Sequence, residues 1–307
     1  MAQITAKDVA ELRAKTGCGM MDCKKALVET EGNFDEAIKY LREKGLSVAA
    51  KKADRVAAEG VVDILTDNGV TAIIEVNAET DFVAKNASFQ EFVKGILRTI
   101  VSNKPASIEA LNALKFDGSD VNVEAELKNM IFTIGENMSI RRFDIIDGTV
   151  GCYIHGGGSA GVVTKFDTDA DTSNPAFVEY AKNVCMQIAA MSPSYVDRDS
   201  VPASVIESEK SIIMTRIEND ENLAKKPDAV KENMVIGKLS KFYDNNCLVD
   251  QEYVKDGDFT IGTYTDKVAK ELGASIKIVS FIKYERGEGI EKKEDDFAAE
   301  INKLVNG

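Results

Sequence analysis

Residues 60–94, written without a gap over residues 148–182, agree at ten of 35 positions. The shared residues include Gly60/Gly148, Val62/Val150, Gly69/Gly157, Ala72/Ala160, Thr80/Thr168, Asp81/Asp169, Asn86/Asn174 and Phe89/Phe177. A chain that repeats a segment 88 residues on builds one supersecondary unit twice, so its centre is two copies of one design. The copies part at one place: Thr80-Asp81-Phe82-Val83 becomes Thr168-Asp169-Ala170-Asp171. Scaffold residues recur, but the phenyl ring of Phe82 does not. That marks Phe82 for a task beyond the fold.

The first copy opens with two β-prone runs, Val61–Thr66 and Thr71–Asn77, joined across Asp67-Asn68-Gly69-Val70. Asn-Gly favours a two-residue hairpin because both residues tolerate positive φ. After the 80–83 turn, Phe89, Phe92, Val93, Ile96 and Ile100 recur at helical spacing, which predicts a helix over about 87–102. A second helix is expected over about 123–134. Each unit is therefore hairpin, turn and helix, an antiparallel sheet with helices on one face. The second copy repeats this with strands at 149–154 and 162–166 and a helix through Phe177, Tyr180, Val184 and Ile188.

Around the duplicated core lie helical segments. Thr5-x-x-Asp8 and Asn33-x-x-Glu36 have the form of helix starts, with Val9 and Leu12, then Ala37, Ile38 and Leu41, on inward faces. A helix from Asp22 to Glu31 lies between them, and Gly45 reads as the stop of the third. Residues 47–58, rich in Ala and Lys, favour a helical connector. Residues 203–243 read as an inserted antiparallel helical hairpin, with Pro202 and Pro227 at its helix starts. In it Ile206, Ile213 and Ile217 are set against Val230, Ile236 and Leu239. Strands at 247–254 and 276–284, a helix at 266–272 and an amphipathic helix from Glu294 complete the chain. The expected class is α+β, divided at 1–54, 55–144, 145–282 with its insertion, and 283–307.

Composition narrows the function. The apolar runs are short and broken by charge, which argues against a membrane span. The start, Met1-Ala2-Gln3-Ile4-Thr5, lacks a signal peptide's basic and apolar stretch, so the expected location is the cytoplasm. Five cysteines without a C-x-x-C pair fit reduced thiols and give no zinc-type spacing. A net charge of −13 with no basic aromatic face argues against nucleic acid and for a protein partner.

Few residues carry chemistry. Gly156-Gly157-Gly158-Ser159-Ala160-Gly161 matches a dinucleotide fingerprint in letters, but a strand-like run, Val162–Phe166, follows where a helix is required, so a hairpin loop is expected. His155, the only imidazole, is either a loop-edge residue or a protein contact. Met20 and Met21 sit in a glycine-flanked segment, and two adjacent Met there cannot both point inward, so at least one is set for a contact. Phe82 either packs beneath its sheet or stands exposed.

Several segments together resemble the elongation factor Ts family, the guanine-nucleotide exchange factors of translation elongation factor Tu. They are Leu12-Arg13 with the run from Thr16 to Leu27 (Thr-Gly-Cys-Gly-Met-Met-Asp-Cys-Lys-Lys-Ala-Leu), Thr80-Asp81-Phe82-Val83, Ile134-Gly135-Glu136-Asn137 with Ile140-Arg141-Arg142, and Gly287-Glu288-Gly289-Ile290-Glu291. They come in family order over nearly the whole chain. The family's Gly-Ala-Gly is Gly17-Cys18-Gly19 here.

The resemblance implies a three-helix bundle like a ubiquitin-associated domain, a two-part α+β core, an inserted coiled coil and a C-terminal helical module. It implies no bond chemistry, no cofactor, no metal and no small-molecule substrate, and a 1:1 complex with elongation factor Tu. In the implied mechanism Asp81 and Phe82 wedge beside the partner's Mg²⁺ and phosphate site, while Thr80 and Val83 hold the turn. Arg13, Met20 and Met21 would grip the same partner domain. His155 and Val254 would touch another, with Lys255 departing from the apolar residue expected beside Val254. Two other readings compete: a dinucleotide enzyme built on Gly156–Gly161, and a passive adaptor that binds without altering the partner.

Overall fold

The structure, a computed structural model, describes residues 4–291. The C-terminal helix expected from Glu294 lies outside them. The chain begins with three helices, α1 (Ala6–Thr16), α2 (Met20–Glu29) and α3 (Phe34–Lys52). Thr5 caps α1 in a reciprocal box with Asp8, and the Asn33 side chain accepts from the N–H groups of Asp35 and Glu36. Val9, Leu12, Cys23, Ala26, Leu27, Ala37 and Leu41 form one small core.

Two expectations for this bundle are corrected. Helix α2 starts at Met20 rather than Asp22, so Met20 and Met21 form its first turn instead of a loop. Helix α3 does not stop at Gly45 but runs on to Lys52. The Phe132 ring lies against Gly45, where an added Cβ would sit at ordinary contact distance, 3.4 Å from the Phe132 Cβ. The glycine lies within the helix where the bundle meets the core, not at a helix end.

The first unit comprises β1 (Glu59–Asp67), β2 (Val70–Ala78), the short α4 (Asp81–Ala84), α5 (Ala87–Asn103), α6 (Ile108–Ala113), α7 (Val123–Ile134) and β3 (Met138–Asp147). Asn68 and Gly69 take φ of 49° and 77°, the twist that a two-residue hairpin turn requires. Strand β3, absent from the expectation, pairs antiparallel with β2 to give the order β1-β2-β3. Its own sequence, Met138-Ser-Ile-Arg-Arg-Phe-Asp-Ile-Ile-Asp147, hides it, because Arg141 and Arg142 interrupt the apolar alternation.

The second unit follows the same plan. It has β4 (Val150–His155), β5 (Ala160–Thr168), α8 (Pro175–Met191), then α9 (Ala203–Glu218), α10 (Asp228–Asn246), α11 (Ile261–Leu272) and β6 (Ile276–Glu285). Helices α5 and α8 both span 17 residues, follow an Asn cap (Asn86, Asn174) and end on a left-handed non-glycine residue, Lys104 or Ser192. The second sheet has the order β4-β5-β6, so its third strand arrives only after the helical insertion. Strand β3 ends at Asp147 and β6 at Glu285, so the expected borders at 144/145 and 282/283 fall within strands.

The two units meet through the sheet faces that helices do not cover. In β1, Val61 points into the core under α5 while its neighbour Val62 joins Ile73, Ile146, Val163 and Tyr284 between the sheets. Residues Phe89, Phe92, Val93, Ile96, Leu97 and Ile100 seal the other face. Each contributes about 2 kcal/mol by leaving water, before chain entropy is counted.

Three further expectations are corrected. Cys247–Val254 is not a strand but a single 3₁₀ turn, Leu248–Asp250, with isolated bridges on either side. Its Leu248 and Tyr253 are buried in a core shared with α11, which starts at Ile261, earlier than expected. In the α9–α10 hairpin, Ile213 and Ile217 pack on Val235 with Met214, Leu223 and Met234, whereas Ile236 and Val230 are exposed. The pairing face of α10 is therefore rotated from the one expected. Pro202 and Pro227 occupy the cap positions just before the first helical turns.

Candidate contact site

Where β2 ends, the chain turns sharply through Glu79 and Thr80 into α4. Thr80 caps this helix, its hydroxyl accepting from the Val83 N–H. Val83 and Ala84 point into the core and are buried. Phe82 points the other way and is 80% exposed, the most exposed of the large apolar side chains among the described residues. A phenyl ring in water forgoes about 2 kcal/mol of burial, so its exposure at a held position is informative. Of the two alternatives for Phe82, the structure takes the exposed one. Asp81, beside it, accepts from Lys85 Nζ at 2.7 Å, and that bond holds its carboxyl below the usual range. The positive charge of Arg286 also favours the ionised Asp81.

The turn is tied to the start of β3. Glu136 accepts from the Thr80 hydroxyl at 2.8 Å and from the Thr80 N–H at 3.0 Å. Glu79 in turn accepts from the Asn137 N–H at 2.5 Å. The sequence marks Gly135-Glu136-Asn137 only as a family-like segment; the task of Glu136 depends on pairing with β3, which the sequence does not reveal.

A second buried knot joins the units. Glu75, wholly buried between the sheets, accepts from Arg141 (2.9 Å), Arg142 (2.7 Å), Asn77 (3.0 Å) and the Gly287 N–H (2.7 Å). Burial alone would raise its carboxyl pKa, but these four donors outweigh it and leave the pKa lowered. Arg142 also stacks over the Tyr284 ring at 4.1 Å and bonds Glu288 at 3.0 Å. The Ile140-Arg141-Arg142 and Gly287-Glu288-Gly289 segments are thus two halves of one structural clasp.

The other candidates lie elsewhere. Met20 and Met21 are exposed at 56% and 75% on α2. Arg13, near the end of α1, is exposed as well. His155, at the end of β4, is exposed, with Nδ1 3.0 Å from the Tyr153 hydroxyl. Val254 is half exposed beside buried Tyr253, its N–H donating to Gln187, while Lys255 is held by Asn183 at 2.7 Å. Among the described residues, no hydrogen bond, ion pair or ring contact joins Arg13 and the methionines, the Phe82 turn, and the His155–Val254 region. Segment 156–159 is a loop leading into β5, not into a helix, and the Gly158 carbonyl accepts from the Val62 N–H. All five cysteines are free thiols, and no three metal-binding side chains cluster among the described residues. No helix among the described residues is long and apolar enough to cross a membrane.

A twice-built α+β core that lifts one bare phenyl ring on a clasped turn has the anatomy of a contact factor. Residues 79–288 match the family model described as elongation factor TS. Over 307 residues the chain is 47% identical to the elongation factor Ts of Syntrophotalea carbinolica, covering 99% of both chains. It is 45% identical to that of Clostridium kluyveri and 44% to that of Magnetococcus marinus, each again over 99% of both chains. The chain belongs to the elongation factor Ts family, whose general role is guanine-nucleotide exchange on elongation factor Tu during translation elongation.

Proposed function

We propose that this protein binds elongation factor Tu in its GDP form and speeds GDP release by seating Asp81 and Phe82 beside the Mg²⁺ and phosphate site, so that GTP can reload. The observation that carries this reading is the ring of Phe82, 80% exposed on a turn whose neighbours Val83 and Ala84 are buried. In a nucleotide-binding protein the ion and phosphate loop hold the diphosphate together, so displacing their supports loosens GDP without breaking a bond.

Magnitude says how broad the contact must be. Weakening GDP a thousandfold takes about 4 kcal/mol, and the coupling is reciprocal. Burying one phenyl ring yields about 1.5–3 kcal/mol, less than that and partly spent on association itself. A wider footprint must hold the ring in place. Arg13, Met20 and Met21 on the bundle, and His155 and Val254 on the second unit, are proposed to supply it in a 1:1 complex. The division into bundle, two core units with the inserted hairpin, and C-terminal module is proposed with the same footprint; its support is that bundle, units and hairpin each have an apolar cluster of their own.

The test is release of labelled GDP from elongation factor Tu with and without this protein. Rates that climb and then saturate with added protein are expected. Stable binding with an unchanged release rate would leave a passive adaptor.

A further inference from the structure

We infer that Glu136, paired with Glu79, positions Phe82 for nucleotide release: the two carboxylates carry the β2–β3 ladder past the point where the main chains part, and so hold the root of α4 still. The inference rests on the exchange reading above.

The backbone pairing of β2 with β3 ends at Ala78 opposite Met138. The next two rungs would place Glu79 opposite Asn137 and Thr80 opposite Glu136. Main-chain bonds are absent there, and carboxylates replace them. Glu79 takes the Asn137 N–H, and Glu136 takes the Thr80 N–H and hydroxyl. Two backbone donors that the parting strands would orphan are satisfied reciprocally. Asn137 extends the tie by donating to the carbonyls of Ala53 (3.3 Å) and Arg55 (2.7 Å), at the exit from the N-terminal bundle.

The second copy is an internal control. Asp167 and Thr168, the counterparts of Glu79 and Thr80, stay within the ladder, opposite Lys277 and Ile276. The stretch directly beyond them, 169–174, forms no helix before α8, and Ala170 stands where Phe82 would be. In the second copy a carboxylate also takes over where the ladder ends, Asp169 accepting from the Ser275 N–H (2.7 Å) and hydroxyl (3.1 Å), but one position after Thr168; only in the copy that carries the ring does the exchange fall at Glu79 and Thr80 themselves. This exchange frees the Thr80 carbonyl and hydroxyl to start α4, with Ala84 and Val83 as donors. A ring that must displace part of a partner needs such a root. On a loose turn it holds the productive position only part of the time, and the rate falls by that fraction.

The experiment measures GDP release from elongation factor Tu at saturating protein, and the half-saturating concentration, for Glu136→Ala, Glu136→Gln, Phe82→Ala and Phe82→Ala with Glu136→Ala. Glu136→Ala is expected to lower the maximal rate about tenfold, the scale of one lost charge-assisted hydrogen bond, with half-saturation nearly unchanged. Glu136→Gln is expected to recover most of the rate, because an amide can still accept from the Thr80 N–H and donate to its hydroxyl. In the Phe82→Ala background, Glu136→Ala is expected to change nothing further, since it acts through the ring. Multiplying effects, or a parental rate for Glu136→Ala, would overturn the inference. Should Glu136→Ala fail to fold, Thr80→Val removes the hydroxyl arm together with the cap on the Val83 N–H, and a parental rate for it again counts against the inference. If Phe82→Ala slows release and Glu136→Ala does not, this inference falls alone. If Phe82→Ala leaves release unchanged, the exchange reading falls and this inference with it.

Discussion

Replacing Glu75 by Gln probes the clasp between the two units. The carboxylate is fully buried, and one oxygen serves Arg141, Asn77 and the Gly287 N–H while the other serves Arg142. A glutamine can keep the first oxygen, but its NH₂ must then face Arg142 Nε, donor against donor. One charge-assisted bond is lost, worth about 1.5–3 kcal/mol, and the remaining ones weaken without the negative charge. Leaving a buried charge unpaired costs about 3–5 kcal/mol, but Arg141 and Arg142 keep 27% and 30% of their side-chain surface in water and can retreat to it. The expected loss is about 3 kcal/mol, read as a lowered urea midpoint at neutral pH. The pH profile carries a second signature. The Glu75 pKa is depressed in the folded state, so its stabilisation is complete above the ordinary glutamate value of 4.5 and is lost as pH falls through the lower folded value. The variant should therefore differ most from the parent near neutrality and converge with it in acid. A loss below about 1 kcal/mol, the level of an exposed ion pair, would mean that the clasp is hydrated and the reasoning wrong.

Three other outcomes follow from the packing. Gly287→Ala sets an L residue at φ 70° with its Cβ 2.2 Å from the Ala58 carbonyl oxygen, so it should cost more than about 1 kcal/mol in urea titration and pull the Gly287 N–H from Glu75. Ile217→Ala empties a fully buried position in the small hairpin core, a loss of about 2–5 kcal/mol that amide exchange should localise to 203–246 while α5 and α8 stay protected. Met21→Ala, on a side chain 75% exposed, should leave the urea midpoint within about 0.5 kcal/mol of the parent yet weaken binding to elongation factor Tu about tenfold by calorimetry.

Much of this fold was legible because local rules and tertiary packing agree. The Asn68-Gly69 turn and the apolar spacing of Phe89 to Ile100 each point to the element observed. Legibility failed where one contact distant in sequence overrode the local signal. Arg141 and Arg142 look like surface residues until Glu75, 66 and 67 positions earlier, is seen to receive them. Gly45 looks like a stop until Phe132 is seen against it. The run Cys247–Val254 looks like a strand because it is apolar, but Leu248 and Tyr253 are buried in a core shared with α11 and only single bridges pair its ends. At the site, the duplication singled out Phe82, since a scaffold residue would have recurred. Glu79 and Glu136 could not be seen that way. Their task depends on the β2–β3 register, and β3 itself was hidden by its arginines.

Everything attributed to the exposed ring is tested most directly by one rate: GDP release from elongation factor Tu at saturating Phe82→Ala protein. The account predicts that this variant folds and binds like the parent but releases GDP at least about tenfold more slowly, as loss of a transition-state contact of roughly 1.4 kcal/mol requires. A release rate equal to the parent's, from a complex of equal affinity, would contradict it.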